Sequence, residues 1–487
     1  MRLVSLGLLV ALVALGLGCT KTNPHYCAGH PDNDCRMDAG SDAQLDAGDA
    51  HETSSATDAT DATDVAGDLT TDATDATDAT DAKPVCSSDD QCTGTADGGT
   101  PACEMRDGGA KCVECTMNKH CPSTKPICDN STDTCVECNG LDSTMECKDA
   151  SKSACDTTNH VCVQCVDNKT CSGTTPICNT TTHMCRPCAA DNECSAVAPG
   201  VCVDWDGHCA TAAEVITLNS DPGCMVSGQA DFIFCRSADA VAALGASPPH
   251  SVVLIKGPNP VASIDVASSP VNAPKVLIVG QGGATVGAGA GDSAGVHLGS
   301  MSKFWVRGLA ISGGTLGVAA ETGAELHLTQ CVITHNDKGG IRTTNASFDI
   351  TNTIVAANGA GSDTGGVAFG GVRLGTVPAN GTSNFANNTV VGNMQVGISC
   401  ATPYDVSTSI VHGNTGGDAL NCNGASCCGA TNPDPMLDTK YHLMSGSPCI
   451  DKIAASMSTV KVDIDGQPRP TPPSTAKLDC GADEFVP

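Results

Sequence analysis

Gln330-Cys-Val-Ile-Thr-His-Asn336 and Asn352-Thr-Ile-Val-Ala-Ala-Asn358 are two copies of one seven-residue phrase, set 22 residues apart. Gly308-Leu-Ala-Ile-Ser-Gly-Gly314 precedes them by 22 residues, and Asn387-Asn-Thr-Val-Val-Gly-Asn393 and Thr408-Ser-Ile-Val-His-Gly-Asn414 follow at steps of 35 and 21. That period suits one coil of a parallel β-helix, where each turn of chain lays its strand beside the same strand of the turn before. The longer step places an insertion in the fourth coil, between Asn358 and Asn387. A second column keeps the register: Gly317-Val318, Gly340-Ile341, Gly371-Val372 and Gly397-Ile398. The stacked branched residues are expected to face inward. Asn336, Asn358, Asn393 and Asn414 are expected to hydrogen-bond along the axis at a turn, as amide ladders do. One coil alone leaves its apolar face wet, so the coils are stable only as a stack.

The stack needs covered ends. Upstream, Ser237-Ala-Asp-Ala-Val-Ala-Ala-Leu244 before Gly245 reads as a short amphipathic helix over the first coil, with Ser237 as N-cap and Gly245 closing it. Val252-Val-Leu-Ile255 and Val276-Leu-Ile-Val279 then read as early strands. Downstream stand Tyr441-His-Leu-Met-Ser-Gly-Ser-Pro-Cys449-Ile-Asp451, Asp463-Ile-Asp-Gly-Gln-Pro-Arg469-Pro and Asp479-Cys480-Gly-Ala-Asp-Glu484. This run resembles the C-terminal signature of the choice-of-anchor Q family of bacterial surface proteins, over about the last 50 residues and, with the coils, about 240. The resemblance implies an extracellular right-handed parallel β-helix attached by varied means, with no single activity. The expected all-β domain spans 211–487, with a C-terminal cap at 433–487.

Before it, twenty cysteines fall into five units of four, from Cys86, Cys92, Cys103, Cys112 to Cys188, Cys194, Cys202, Cys209. Two units share the spacing Cys-x5-Cys-x6-Cys-x6-Cys, with Lys-Pro-Ile-Cys128 matched by Thr-Pro-Ile-Cys178. The junctions make Cys-x-x-Cys pairs, which in a cytosolic protein would suggest zinc or redox chemistry. Units this short without a core need staples, and an exported chain supplies disulfides, so residues 86–210 read as a disulfide-rich rod without metal or cofactor. Three pairings are open within each unit. Of the other cysteines, Cys27 with Cys35, Cys224 with Cys235 and Cys449 with Cys480 are the candidate bridges. An odd number remains after Cys19 and the repeats are set aside, so one should be free or buried as filler.

Export is read from the start of the chain: Arg2, an apolar run over 3–17, and Leu15-Gly16-Leu17-Gly18-Cys19, which resembles a bacterial lipobox. Residues 1–18 are expected to be a signal peptide and Cys19 the lipid attachment site; ordinary cleavage after Gly18, releasing a secreted protein, is the alternative. Residues 19–85 form an acidic linker. Thirteen of its acidic residues fall in 37–82 with no Lys or Arg, and Thr-Asp-Ala triplets run through it. Such a segment cannot bury enough surface to offset ordering entropy and reads as a disordered spacer. Much of the net charge of −29 is therefore local to the linker, and an acidic balance argues against nucleic acid as a partner.

No catalytic constellation stands out. Arg342 and Arg373 follow the stacked Ile341 and Val372 and should lie side by side on adjacent coils, pointing outward. With Asp363 in the insertion at 359–371 they are the candidate contacts for a uronate or sulfate, which would make the chain a polysaccharide lyase or glycoside hydrolase on acidic glycans. The preferred reading is two solvated surface arginines. His327, His335 and His412 look scattered, Asp463 and Asp465 read as a turn, and two tryptophans offer little surface for a sugar. The sequence thus points to a non-catalytic, monomeric cell-surface lipoprotein: a display or adhesion platform on a disulfide-rich stalk. Its expected partners are the membrane through the lipid, and an extracellular glycan or another envelope protein.

Overall fold

The computed structural model describes residues 86–486 apart from 94–100, 107–108, 142–145, 222, 225–231, 245–249, 267–274, 290–293, 300–302, 363–364, 425–426, 429–432, 459 and 471–476. Cys19, Cys27, Cys35, Asp363, Gly245 and the acidic linker lie outside the described residues.

Each coil contributes one strand to each of three parallel sheets, giving a β-solenoid of about six turns. The recurring seven-residue phrase forms the second sheet: Ala310–Ser312, Val332–Thr334, Ile354–Ala356, Thr389–Val391 and Ile410–His412 stack in register, one per coil. The glycine column is the third sheet, through Leu316–Ala320, Gly339–Thr343, Val372–Leu374 and Ile398–Cys400. The first sheet runs through Val215–Asn219, Val252–Lys256, Lys275–Gln281, Lys303–Arg307, Glu325–Thr329, Ser347–Thr351 and Ser383–Ala386. Alternate residues of all three meet in one core, among them Phe304, Phe348, Ile311, Ile333, Val355 and Ile341.

The two legible columns depend on each other. Asn336 Nδ2 donates to Asn358 Oδ1 (2.9 Å), Asn358 Nδ2 to Asn393 Oδ1 (3.0 Å), and Asn393 Nδ2 to Asn414 Oδ1 (2.8 Å). The same oxygens accept the main-chain N–H of the residue one coil above, and the first three side chains are almost wholly buried. The adjoining column must be glycine because the ladder leaves no space: a Cβ on Gly340 would stand 2.3 Å from Val355 and 3.0 Å from Asn358 Nδ2. Corners flank the strands in left-handed conformations, at Gln330, Asn352 and Asn387 on one side and at His335 and Ala357 on the other.

At the N-terminal end the helix Ser237–Ala243 packs Ala240 and Val241 onto the core beside Ile264. Ser237 is its first residue and not its N-cap; the hydroxyl donates to Ala262 O (2.8 Å) and ties the helix to the coil, leaving Arg236 at the cap position. The C-terminal segment does not close the other end in the expected way. It lies on the outer face of the second sheet, where Ile354, Ala356, Val391 and Ile410 bury against Leu443, Cys449, Ile453 and Leu478. Those strands are apolar on both faces, so the outer one also had to be covered. Gln330 Nε2 donates to Asp463 O (2.9 Å), Asn352 Nδ2 to Val462 O, and Ala482 N to Thr389 Oγ1 (3.0 Å).

The five repeats share one connectivity, first cysteine to third and second to fourth, from Cys86–Cys103 and Cys92–Cys112 to Cys188–Cys202 and Cys194–Cys209. In each, the last two cysteines stand opposite one another on a hairpin or bridge, as Cys128 does to Cys135, so each half of the pair staples back to the preceding loop. Cys224 pairs with Cys235, but the expected Cys449–Cys480 bridge is replaced. Cys427 takes Cys480 and the adjacent Cys428 takes Cys449, because the end of the last coil enters the same cluster. Cys400–Cys422 closes the final rung, and Cys331 is free among the described residues, packed in the core with its thiol pushed up to about 12 by burial.

Candidate functional site

The outer face of the first sheet is covered over part of its length by the fifth repeat. Its first rungs carry Val215, Val252, Leu254, Leu277 and Val279 outward, and these bury against Val201, Val203 and Ala210 of the fifth repeat. The repeat is clamped by Arg307. The guanidinium donates through Nη1 and Nη2 to Asp191 (2.9 and 2.7 Å), through Nε to Asp204 (2.9 Å) and through Nη2 to Cys202 O (2.8 Å). Burial opposes its charge, but Asp191 and Asp204 outweigh that and raise its pKa.

Where the repeat ends, a groove of about 210 Å³ opens, with Asp204 on one wall and Trp305, Arg307, His327, Thr329, Asp349 and Thr351 along the sheet. Register builds this floor: Trp305, His327, Asp349 and Asn384 occupy one position on four successive rungs, and Arg307, Thr329 and Thr351 the position two residues on. The imidazole of His327 stacks flat on the Trp305 indole, 4.7 Å between centroids and 2° between planes. Trp205 of the repeat leans on Trp305 at 5.1 Å, and Lys275 Nζ lies 5.6 Å over Trp205. Both tryptophans of the chain are therefore in one place.

The charges here are spent on each other. His327 Nε2 lies 3.0 Å from Glu325 and its Nδ1 lies 3.5 Å from Asp349; Lys303 Nζ is 2.7 Å from Glu325, and Asn384 Nδ2 donates to Asp349 (2.8 Å). Burial works against the imidazolium, but Asp349 and then Glu325 raise its pKa above the usual histidine value. Asp349 is held low, chiefly by His327. Among the described residues of the groove the two hydroxyls are spent on each other, Thr351 Oγ1 donating to Thr329 Oγ1 (3.4 Å).

The sequence-predicted pair is elsewhere. Arg342 and Arg373 are direct neighbours on the third sheet, as the register required. Arg342 donates to Glu321 (2.9 Å), a carboxylate shared with His297, and Arg373 to Ser399 Oγ (3.1 Å). The protein itself thus supplies an anion to Arg342. Asp463 and Asp465 form a turn, with Asp465 N donating to Asp463. The cysteine clusters of the repeats whose spacing would suit a metal are bonded as disulfides. The groove residues had a sequence signal, since Trp305, His327 and Asp349 are spaced 22 apart like the asparagines; differing in type, they did not show as a column.

Residues 288–415 match the family model described as right handed beta helix region. The chain carries a right-handed parallel β-helix. Neither a curated protein nor a solved structure matches it. The density of disulfides in front of this β-helix marks an exported or extracellular protein. Among the described residues no helix is long and apolar enough to cross a membrane.

Proposed function

We propose that the chain is a non-catalytic surface lipoprotein whose β-helix is presented as a rigid platform on disulfide-stapled repeats, with Cys19 as its lipid anchor. The observation that carries this reading is the seam at Arg307. One guanidinium joins Asp191 and Asp204 of the last repeat to the solenoid, beside an apolar contact running from Val201 to Val279. A stalk that merely tethered an enzyme would need no such joint, whereas a platform needs its spacer and its displayed face to move together. The ion pairing of Arg342 with Glu321 supports a role without catalysis for the arginine pair. The C-terminal run from Tyr441 to Glu484, with its resemblance to choice-of-anchor Q proteins, supports a place at the bacterial surface.

The test is fractionation of cells producing the full chain and its Cys19→Ala variant. The wild type is expected in the membrane fraction, accessible to added protease on intact cells, and the variant in the medium or periplasm. Equal membrane retention of both would remove the lipid anchor from the account.

A further inference from the structure

We infer that the groove between the fifth repeat and the first sheet is a binding site for a neutral carbohydrate chain. This goes beyond the display role and does not depend on the anchor. Three observations converge on it. The groove is built from two modules, Asp204 and Trp205 from the repeat and the rungs of Trp305, His327 and Asp349 from the solenoid, so its shape is fixed by the Arg307 seam. Its volume of about 210 Å³ is below the roughly 300 Å³ at which pockets for larger small molecules begin, and suits a single sugar ring. The rungs repeat at about 4.8 Å, so the hydroxyls of Thr329 and Thr351 within the groove and the amide of Asn384 on the rung beyond it lie along the path of a longer chain.

Charge and hydrogen-bonding capacity select the ligand class. Arg307 is committed to Asp191, Asp204 and Cys202 O, and Lys303 to Glu325. His327 sits between Glu325 and Asp349. Among the described residues that line the groove the cations are Arg307 and His327, each held by carboxylates, and Lys275 is set over Trp205 outside that lining, so the groove turns no uncompensated positive charge toward a uronate, sulfate or phosphate. Carboxylate, amide and hydroxyl groups side by side suit vicinal sugar hydroxyls, which donate and accept at once. Trp305 is covered on one face by His327 and leaned on by Trp205, so it offers a ligand its rim and makes the floor stiff.

Because both tryptophans of the chain stand at the groove, its intrinsic emission reports on this site alone. The oxidised full chain is titrated with hexasaccharides of β-linked glucose, xylose, mannose and N-acetylglucosamine, and, for comparison, of galacturonate and of glucosamine, with calorimetry in parallel. A saturable emission change is expected with at least one neutral hexasaccharide. Asp349→Ala and Thr351→Val should each weaken it tenfold or more, and Arg342→Ala, on another sheet, should leave it unchanged. Circular dichroism and disulfide mapping show whether each variant is folded, and Thr329→Val replaces any that is not. Absence of both heat and emission change at millimolar neutral sugar, tighter binding of galacturonate or glucosamine, or binding indifferent to the groove variants would each overturn the inference.

Discussion

Asn358→Ala removes the middle rung of the asparagine ladder, and the cost can be worked from its contacts. The side-chain oxygen accepts from Asn336 N (3.1 Å) and Asn336 Nδ2 (2.9 Å), and its Nδ2 donates to Asn393 Oδ1 and Ile333 O (both 3.0 Å). Asn336 Nδ2 keeps Thr334 O at 3.2 Å, and Asn393 Oδ1 keeps the main-chain N of residue 358 at 3.0 Å. What has no substitute is the buried N–H of Asn336, since Asn358 is wholly inaccessible to water. An orphaned buried donor costs about 1–3 kcal/mol, and the space left by truncation adds about 1 kcal/mol. The expected loss is therefore about 3 kcal/mol. Asn414→Ala orphans the N–H of Asn393 in the same way, but Asn414 is itself 7% exposed where Asn358 is fully buried, so water can enter the space its side chain leaves and about half the loss is expected. Guanidinium unfolding of the oxidised chain, followed by circular dichroism, reads both. A loss at Asn358 under about 0.5 kcal/mol, or one no larger than at Asn414, would refute the claim that the ladder holds the coils in register.

The disulfide pattern predicts that non-reducing peptide maps contain Cys115–Cys128 and Cys121–Cys135, and Cys428–Cys449 rather than Cys449–Cys480. Cys331, with its thiol pushed up to about 12, should resist alkylation in the native protein and react only in denaturant; labelling without denaturant would contradict its burial. Arg307→Ala strands Asp191 and Asp204 at the seam and should cost about 2–3 kcal/mol, discounted from a fully buried pair because both carboxylates are partly exposed, and should speed proteolysis between repeat and solenoid. Asp191 is lowered, Arg307 outweighing the effect of burial, so the stability it contributes is full above about pH 4 and should be lost as pH falls through the lower folded value. His327 has the opposite sign: its contribution is full below about pH 6.5 and lost as pH rises through the raised folded value. Tryptophan emission should step at that point, and a step that persists in His327→Asn would assign it to another group.

The second and third sheets were legible because their chemistry repeats. Asparagine recurs where an amide ladder runs, and glycine recurs where that ladder leaves no space for a Cβ. Of the first sheet, the early strands at 252–255 and 276–279 were legible as apolar runs, and the later ones were not, because their outward residues answer to different neighbours: Trp305 to Trp205, His327 to Asp349. Its inward pairs, Phe304 with Val306 and Leu326 with Leu328, do alternate, but over runs too short to stand out beside a 22-residue period. The C-terminal segment was read as an end cap from its position in the chain. Its place on the side of the solenoid was written instead in Ile354-Val-Ala356, apolar on both faces, which calls for a partner outside as well as inside. The arginine pair shows the limit of register alone, which placed Arg342 beside Arg373 but could not show that Glu321 answers one of them.

The most direct test of a platform without catalysis is to incubate the purified, oxidised full chain with neutral and acidic polysaccharides and follow reducing ends and the ultraviolet absorbance of unsaturated uronides. No product is expected above a heat-denatured control from any substrate, including those that change tryptophan emission. Turnover that disappears in the Arg342→Ala, Arg373→Ala double variant would contradict the account and make the third sheet an active site.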